Sequence, residues 1–115
     1  MKRYCFVIEI KPEHVKDYCD IHRNPWPEIL TEIKKAGARE LLIWNYKNFS
    51  IVYYECEDID ELYARVGKTE AAKKWNMTVG PWFEESPVLD GSDSVGSLEK
   101  IFDLNQQLNG RLEPF

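Results

Sequence analysis

The chain lacks most of the features that announce a chemistry. Its three cysteines, Cys5, Cys19 and Cys56, are an odd set with no close-spaced pair, so neither a disulfide framework nor a cysteine-rich zinc site is indicated. No apolar run approaches the ~20 residues that span a bilayer, and the N-terminal Met-Lys-Arg-Tyr-Cys-Phe-Val-Ile-Glu-Ile returns to charge too soon for a secretion signal. A soluble protein in the reducing cytoplasm is expected, with no membrane partner. Lys and Arg number 15 against 20 Asp and Glu. No stretch gathers the cations that would neutralise a row of phosphates, so no nucleic acid partner is expected. There is no glycine-rich phosphate loop, no G-x-S-x-G elbow and no H-E-x-x-H, and nothing marks Cys19 as a thiolate nucleophile. With only His14 and His22 available, a metal site is weakly indicated at best, because zinc needs three or four converging ligands. No metal and no cofactor are therefore expected.

What is present suits one domain of 115 residues, 43% of them hydrophobic, enough to bury a real core. Tyr4, Phe6, Ile8 and Ile10 alternate along Arg3 to Ile10 as in a strand. From Pro12 the spacing becomes helical, with Val15, Tyr18, Cys19 and His22 on one stripe. After a break at Pro25, Ile29, Leu30 and Ile33 continue it to Gly37. Ala38 to Tyr46 and Phe49 to Glu57 read as strands joined by the short Lys47-Asn48 connection, an antiparallel hairpin. Asp58 or Asp60 caps a second helix through Leu62, Tyr63 and Val66, which restarts near Lys68 or Thr69, carries Ala71, Ala72 and Trp75, and stops or kinks at Gly80-Pro81. Ser86 to Gly96 has loop composition, Ser97 to Leu104 reads as a last strand, and the polar tail from Asn105 is free to wrap a partner. The order strand, helix, strand, strand, helix, strand predicts an α+β fold, a ferredoxin-like split β-α-β sheet with helices on one face. The other face would expose Tyr, Trp and Ile side chains, so two subunits are expected to bury it together as a homodimer.

The most informative stretch is Tyr-Cys-Asp-Ile-His-Arg-Asn-Pro-Trp-Pro. Tyr18 and His22 are four apart and share a helix face, and Pro25 disfavours helix at Asn24 while Pro27 suits the first turn of the next helix. His22 is thus set at a helix end facing a gap. A lone histidine at a helix C-terminus usually serves the dipole or a local hydrogen bond. The tyrosine one turn back and the proline-bounded break favour a small acid/base site instead, since imidazole titrates near neutrality. Trp26 reads as a packing anchor for the break. Trp44, Trp75 and Trp82 are open between core and the aromatic lining of a small-molecule pocket. Asp17, Asp20, Glu84 and Glu85 read as solvated surface, with no pair placed for two-carboxylate catalysis.

The Tyr-x-x-x-His element before Pro-Trp-Pro, the Gly37-Ala38 turn, the tryptophan near the end of the second helix and the closing Leu-x-x-x-Phe-x-Leu together resemble the L-rhamnose mutarotase family over almost all of Met1 to Leu104. The resemblance implies a ferredoxin-like fold, a dimeric α/β barrel and a mutarotase domain at 1–104 followed by a C-terminal extension at 105–115. It implies that His22 is the general acid/base and that Tyr18, Leu41, Trp75 and Asn76 line the sugar site, with a monosaccharide as the only partner besides a second subunit. The chain departs from the family pattern in three places. Arg23 separates His22 from the Asn-Pro pair, Leu41 stands where a substrate-contacting tyrosine is usual, and Trp75-Asn76 replaces tandem tryptophans. Loss of a phenol and an indole should rank hexose epimers differently, so L-rhamnose, L-fucose or another 6-deoxy hexose is the expected substrate.

The expected reaction is interconversion of α and β anomers by ring opening and closure, with His22 starting as imidazolium to protonate the ring oxygen. Two rivals remain at this level. One is a cofactor-free enzyme of the same dimeric type, such as a monooxygenase acting on flat apolar substrates; the other is a non-catalytic sugar-binding module. An RNA-binding sheet is disfavoured, because Asn48 to Tyr54 lacks the glycine and basic start of that strand motif.

Overall fold

Alternating side chains organise the sheet. The computed structural model describes residues 1–84 and 97–114. β1 (Lys2–Glu9), β2 (Glu40–Tyr46) and β3 (Phe49–Cys56) lie in the order β1-β3-β2, all antiparallel. Every second residue of the central β3, Ser50, Val52, Tyr54 and Cys56, is buried. The register sets these beside Phe6, Tyr4, Leu41 and Ile43 on the same face, as the pleat requires. Tyr46 pairs with Phe49, so the hairpin loop is the two residues Lys47-Asn48. Lys47 takes a left-handed φ of 55°, and the Asn45 side-chain amide donates to the Lys47 and Phe49 carbonyls at 3.0 and 3.1 Å.

The helices cover the buried face. A 3-10 turn, Pro12–His14, leads into α1 (Val15–Arg23), and α2 (Pro27–Lys35) begins on Pro27 after the break. Gly37, at φ 112°, then turns the chain in a conformation that side-chain-bearing residues rarely adopt. α3 (Ile59–Gly67) is capped by Asp58, whose carboxylate accepts from the Asp60 and Glu61 amides. α4 (Glu70–Val79) is capped by Thr69, whose hydroxyl accepts from the Ala72 amide. A second 3-10 turn, Gly80–Trp82, follows. The main core joins Tyr4, Phe6, Val52 and Tyr54 of the sheet to Ile29, Ile59, Leu62 and Val66 of the helices. A smaller cluster, Ile10, Tyr18, Val79 and Phe83, sits where β1 runs out beneath α1 and α4.

The expected fourth strand over Ser97 to Leu104 does not form; among the described residues the α+β fold has three strands and five helices. Ser97 and Leu98 do run beside β1, but side-chain chemistry replaces the ladder. The Ser97 hydroxyl accepts from the Cys5 amide at 3.0 Å and donates to the Cys5 carbonyl at 3.1 Å, and that carbonyl also takes the Leu98 amide. With the Cys5 amide taken by a side chain and its carbonyl shared between that side chain and the Leu98 amide, pairing does not propagate, and the chain winds instead into α5 (Leu104–Leu108), capped by Asp103. Asp103 also accepts from Arg3 of β1 at 3.0 Å. The segment read as loop, Ser86 to Gly96, lies outside the described residues. On the sheet face away from the helices Val7, Leu42, Trp44 and Tyr46 are exposed.

Candidate active site

α1 ends where Asn24 leaves helical geometry (φ -131°, ψ 63°) ahead of Pro25, which leaves His22 on the last turn without a following helix to cover it. Its ring lies against Tyr18, the ring centroids 4.0 Å apart. Nδ1 is 2.7 Å from the Tyr18 carbonyl oxygen. A carbonyl only accepts, so Nδ1 carries the hydrogen and the lone pair of the neutral ring is at Nε2. Trp75 meets the imidazole edge-on at 5.2 Å and is itself met by Trp26 at 5.3 Å, so the tryptophan of the helix break buttresses the wall as a packing anchor. Burial holds the His22 pKa below the usual 6.5, opposed by the bond to Tyr18.

This wall faces a cavity of about 400 Å³, within the range of small-molecule sites. His22, Tyr18, Leu41, Trp75 and Asn76 all border it. Leu41, Ile43 and Asn45 of β2 border it from the sheet, and Ile33 borders it from α2. Asn76 is solvent-exposed at its rim. Two residues that the sequence reading passed over also border it, Tyr54 and Tyr63. Burial raises the Tyr54 phenol to about 12, with the Tyr63 hydroxyl partly offsetting this, and burial also pushes Tyr63 well up. Both are therefore neutral hydroxyls at physiological pH. The period-two pattern of β3 could have placed Tyr54 on the helix side; nothing local marks Tyr63.

His14 is turned elsewhere: its Nδ1 contacts Asp17 at 3.1 Å and its ring stacks on Trp82. Among the described residues no three His, Cys, Asp or Glu side chains are grouped to hold a metal ion. No helix there is long and apolar enough to cross a membrane.

The family model described as L-rhamnose mutarotase matches residues 3–104. The chain belongs to the L-rhamnose mutarotase family. Among its relatives, the L-rhamnose mutarotase of Oceanobacillus iheyensis is 30% identical over 107 residues, covering 91% of this chain and 100% of that protein. The one from Clostridium beijerinckii is 31% identical over 91 residues, covering 77% and 85%. A crystal structure of an L-rhamnose mutarotase from Formosa agariphila superposes with a TM-score of 0.68 at 21% identity, covering 90% of this chain and 99% of that one; at that identity the likeness speaks for the fold. Members of the L-rhamnose mutarotase family are isomerases acting on carbohydrates, and this chain is an enzyme of that class.

Proposed function

We propose that this chain interconverts the α and β anomers of L-rhamnose or a closely related 6-deoxy hexose, with His22 as the acid/base. The observation that carries this is the imidazole fixed through Nδ1 to the Tyr18 carbonyl on the wall of a 400 Å³ cavity. The lowered pKa makes the neutral ring the resting form, so His22 begins as base, not as the imidazolium expected from sequence. Nε2 takes the proton from the anomeric hydroxyl as the C1–O5 bond breaks and C1=O1 forms. O5 receives the bonding pair and then the proton back from Nε2. O1 and O5 are both attached to C1, so one nitrogen serves both. Rotation about C1–C2 presents the other carbonyl face, and the same steps in reverse close the opposite anomer. Tyr18 backs the imidazole, Trp75 offers a ring face and Asn76 a side-chain amide at the rim. Leu41 gives the apolar wall that ranks epimers by whether a hydroxyl must be buried against it.

Exchange spectroscopy by NMR on equilibrated L-rhamnose, L-fucose and their epimers, with and without protein, tests the reading. Faster exchange between anomer signals is expected for at least one 6-deoxy sugar. Sugar binding with exchange left at the buffer rate would make the chain a binding module, and binding of flat aromatic ligands alone would favour the monooxygenase-like alternative. The pH profile follows from the direction of the His22 shift: kcat/KM should rise with pH through a midpoint below 6.5 and stay level above it. A profile that falls on raising pH through neutrality would contradict a neutral base.

We also infer a ferredoxin-like sheet completed as a dimeric α/β barrel with a second copy. In support, the order β1-β3-β2 leaves the position beside β1 to the Ser97-Leu98 segment. The outer face carries exposed Val7, Leu42, Trp44 and Tyr46, while Ile101, Phe102 and Leu108 near the C-terminus are exposed too, more apolar surface than a monomer usually shows. Residues 105–115 would then serve as an extension against the partner subunit, and the free thiols of Cys5, Cys19 and Cys56 suit the cytoplasm. Light scattering should give twice the 13.6 kDa chain mass, and Trp44→Asp should give the single chain, because a carboxylate buried at a sheet-to-sheet contact has no partner. A wild-type protein that is monomeric at micromolar concentration removes the barrel.

A further inference from the structure

Among the described residues, Ser50 is the one fully buried side chain that is polar. It is the second residue of the central strand β3, between Ile8 of β1 and Asn45 of β2, on the face otherwise given to Val52, Tyr54 and Cys56. A hydroxyl at such a place is unfavourable unless it is bonded. Its oxygen lies 2.6 Å from the Tyr18 hydroxyl, 32 residues earlier in the chain. Tyr18 in turn touches His22 twice, through its ring at 4.0 Å between centroids and through its carbonyl at 2.7 Å from Nδ1. Phe83 closes the edge of the Tyr18 ring at 5.8 Å. Tyr18 therefore spans from the sheet to the imidazole, and among the described residues the polar tie at its sheet end is Ser50.

We propose that Ser50 is a positioning residue for the anomer exchange, pinning the Tyr18 phenol to the sheet so that the Tyr18 ring and carbonyl hold His22 in one orientation and one tautomer. This rests on His22 being the acid/base. Ser50 does not border the cavity, so it acts through Tyr18 and not on the sugar. Without its oxygen the buried phenol has no acceptor or donor at the sheet and shifts to find one. The ring that backs the imidazole shifts with it, and small displacements of a reacting group are expensive in rate.

The test is a cycle of Ser50→Ala, Tyr18→Phe and the double variant, each followed by anomer exchange and by the side-chain nitrogen shifts of His22. Ser50→Ala should lower kcat by about tenfold or more, with KM within about twofold. The His22 nitrogen shifts should move away from a pure Nδ1–H tautomer. Because the two substitutions remove the two ends of one bond, the double variant should lose no more than the worse single variant. Multiplicative losses in the double variant, or a Ser50→Ala protein with wild-type kcat, would overturn the proposal. So would a lower melting temperature with unchanged His22 nitrogen shifts, since that is a purely structural role. The nitrogen shifts need no turnover. If the wild-type protein leaves anomer exchange at the buffer rate, the acid/base reading fails by itself while the tie from Ser50 to His22 is still judged.

Discussion

His22→Ala should lower the enzyme's contribution to anomer exchange by about 10² to 10⁴-fold, the usual worth of a positioned acid/base, and leave the fold in place. The imidazole is only part-buried; among the described residues its one hydrogen bond is to the carbonyl of its own helix, and its contact with a distant element is the edge of Trp75 in α4. The Tyr18 carbonyl lies in the middle of α1, where helix geometry also sets it against the backbone amide of residue 22, so the lost bond does not leave it without a partner. The rate effect is large because, among the described residues, no other side chain bordering the cavity has an ordinary pKa near neutrality: Tyr54 is raised to about 12 and Tyr63 also upward by burial, and Tyr18 is raised by burial as well. Exchange spectroscopy at saturating sugar reads the result. Rates in His22→Ala within a few-fold of wild type would remove His22 from the chemistry. Thermal unfolding adds a second reading. A buried neutral histidine binds protons more readily when unfolded, so its contribution to stability is full above 6.5 and is lost as pH falls through the lowered folded value. His22→Ala should therefore flatten that part of the acid limb of the stability profile.

The second large effect is expected at Ile10. It is fully buried, pairs through an isolated bridge with Phe83, and packs with Tyr18, Val79 and Phe83. Ile10→Ala removes three methylene-sized groups from a cluster that has little freedom to collapse, since a strand end, two helices and a 3-10 turn meet there. The expected loss is about 2–5 kcal/mol from a total of about 5–15 kcal/mol, a fall in melting temperature of roughly 10–20 °C for a domain of this size. Ile10 does not itself border the cavity, but the cluster carries Tyr18, so kcat should fall while the protein is still folded. Calorimetry checks the first part and exchange spectroscopy the second. A melting temperature lowered by only a degree or two would show that the cluster repacks freely and is not the rigid support of the Tyr18–His22 wall.

The local parts of this architecture are readable from residue types because their causes are local. Asp58 and Thr69 cap the helices expected of them, Pro27 opens α2 and Gly37 turns the chain after it. Lys47-Asn48 closes the hairpin. Tyr18 and His22 touch because a helix brings residues four apart together. The last strand is misread for the converse reason. Ser97 to Leu104 alternates well enough, but whether it pairs depends on β1, and there a serine hydroxyl takes both backbone groups of Cys5.

Order along the chain, together with spacing and the family pattern, determined the α+β class, the helix break and the five residues Tyr18, His22, Leu41, Trp75 and Asn76 that meet at one cavity. Tertiary structure alone decided that His22 presents Nε2 from a ring with a lowered pKa, that Tyr54 and Tyr63 join the lining, and that Ser50 holds the Tyr18 phenol. Burial and contacts between residues 32 apart arise only when strands and helices close on one another, and a pKa is set by that enclosure. Neighbours in the chain carry no record of it.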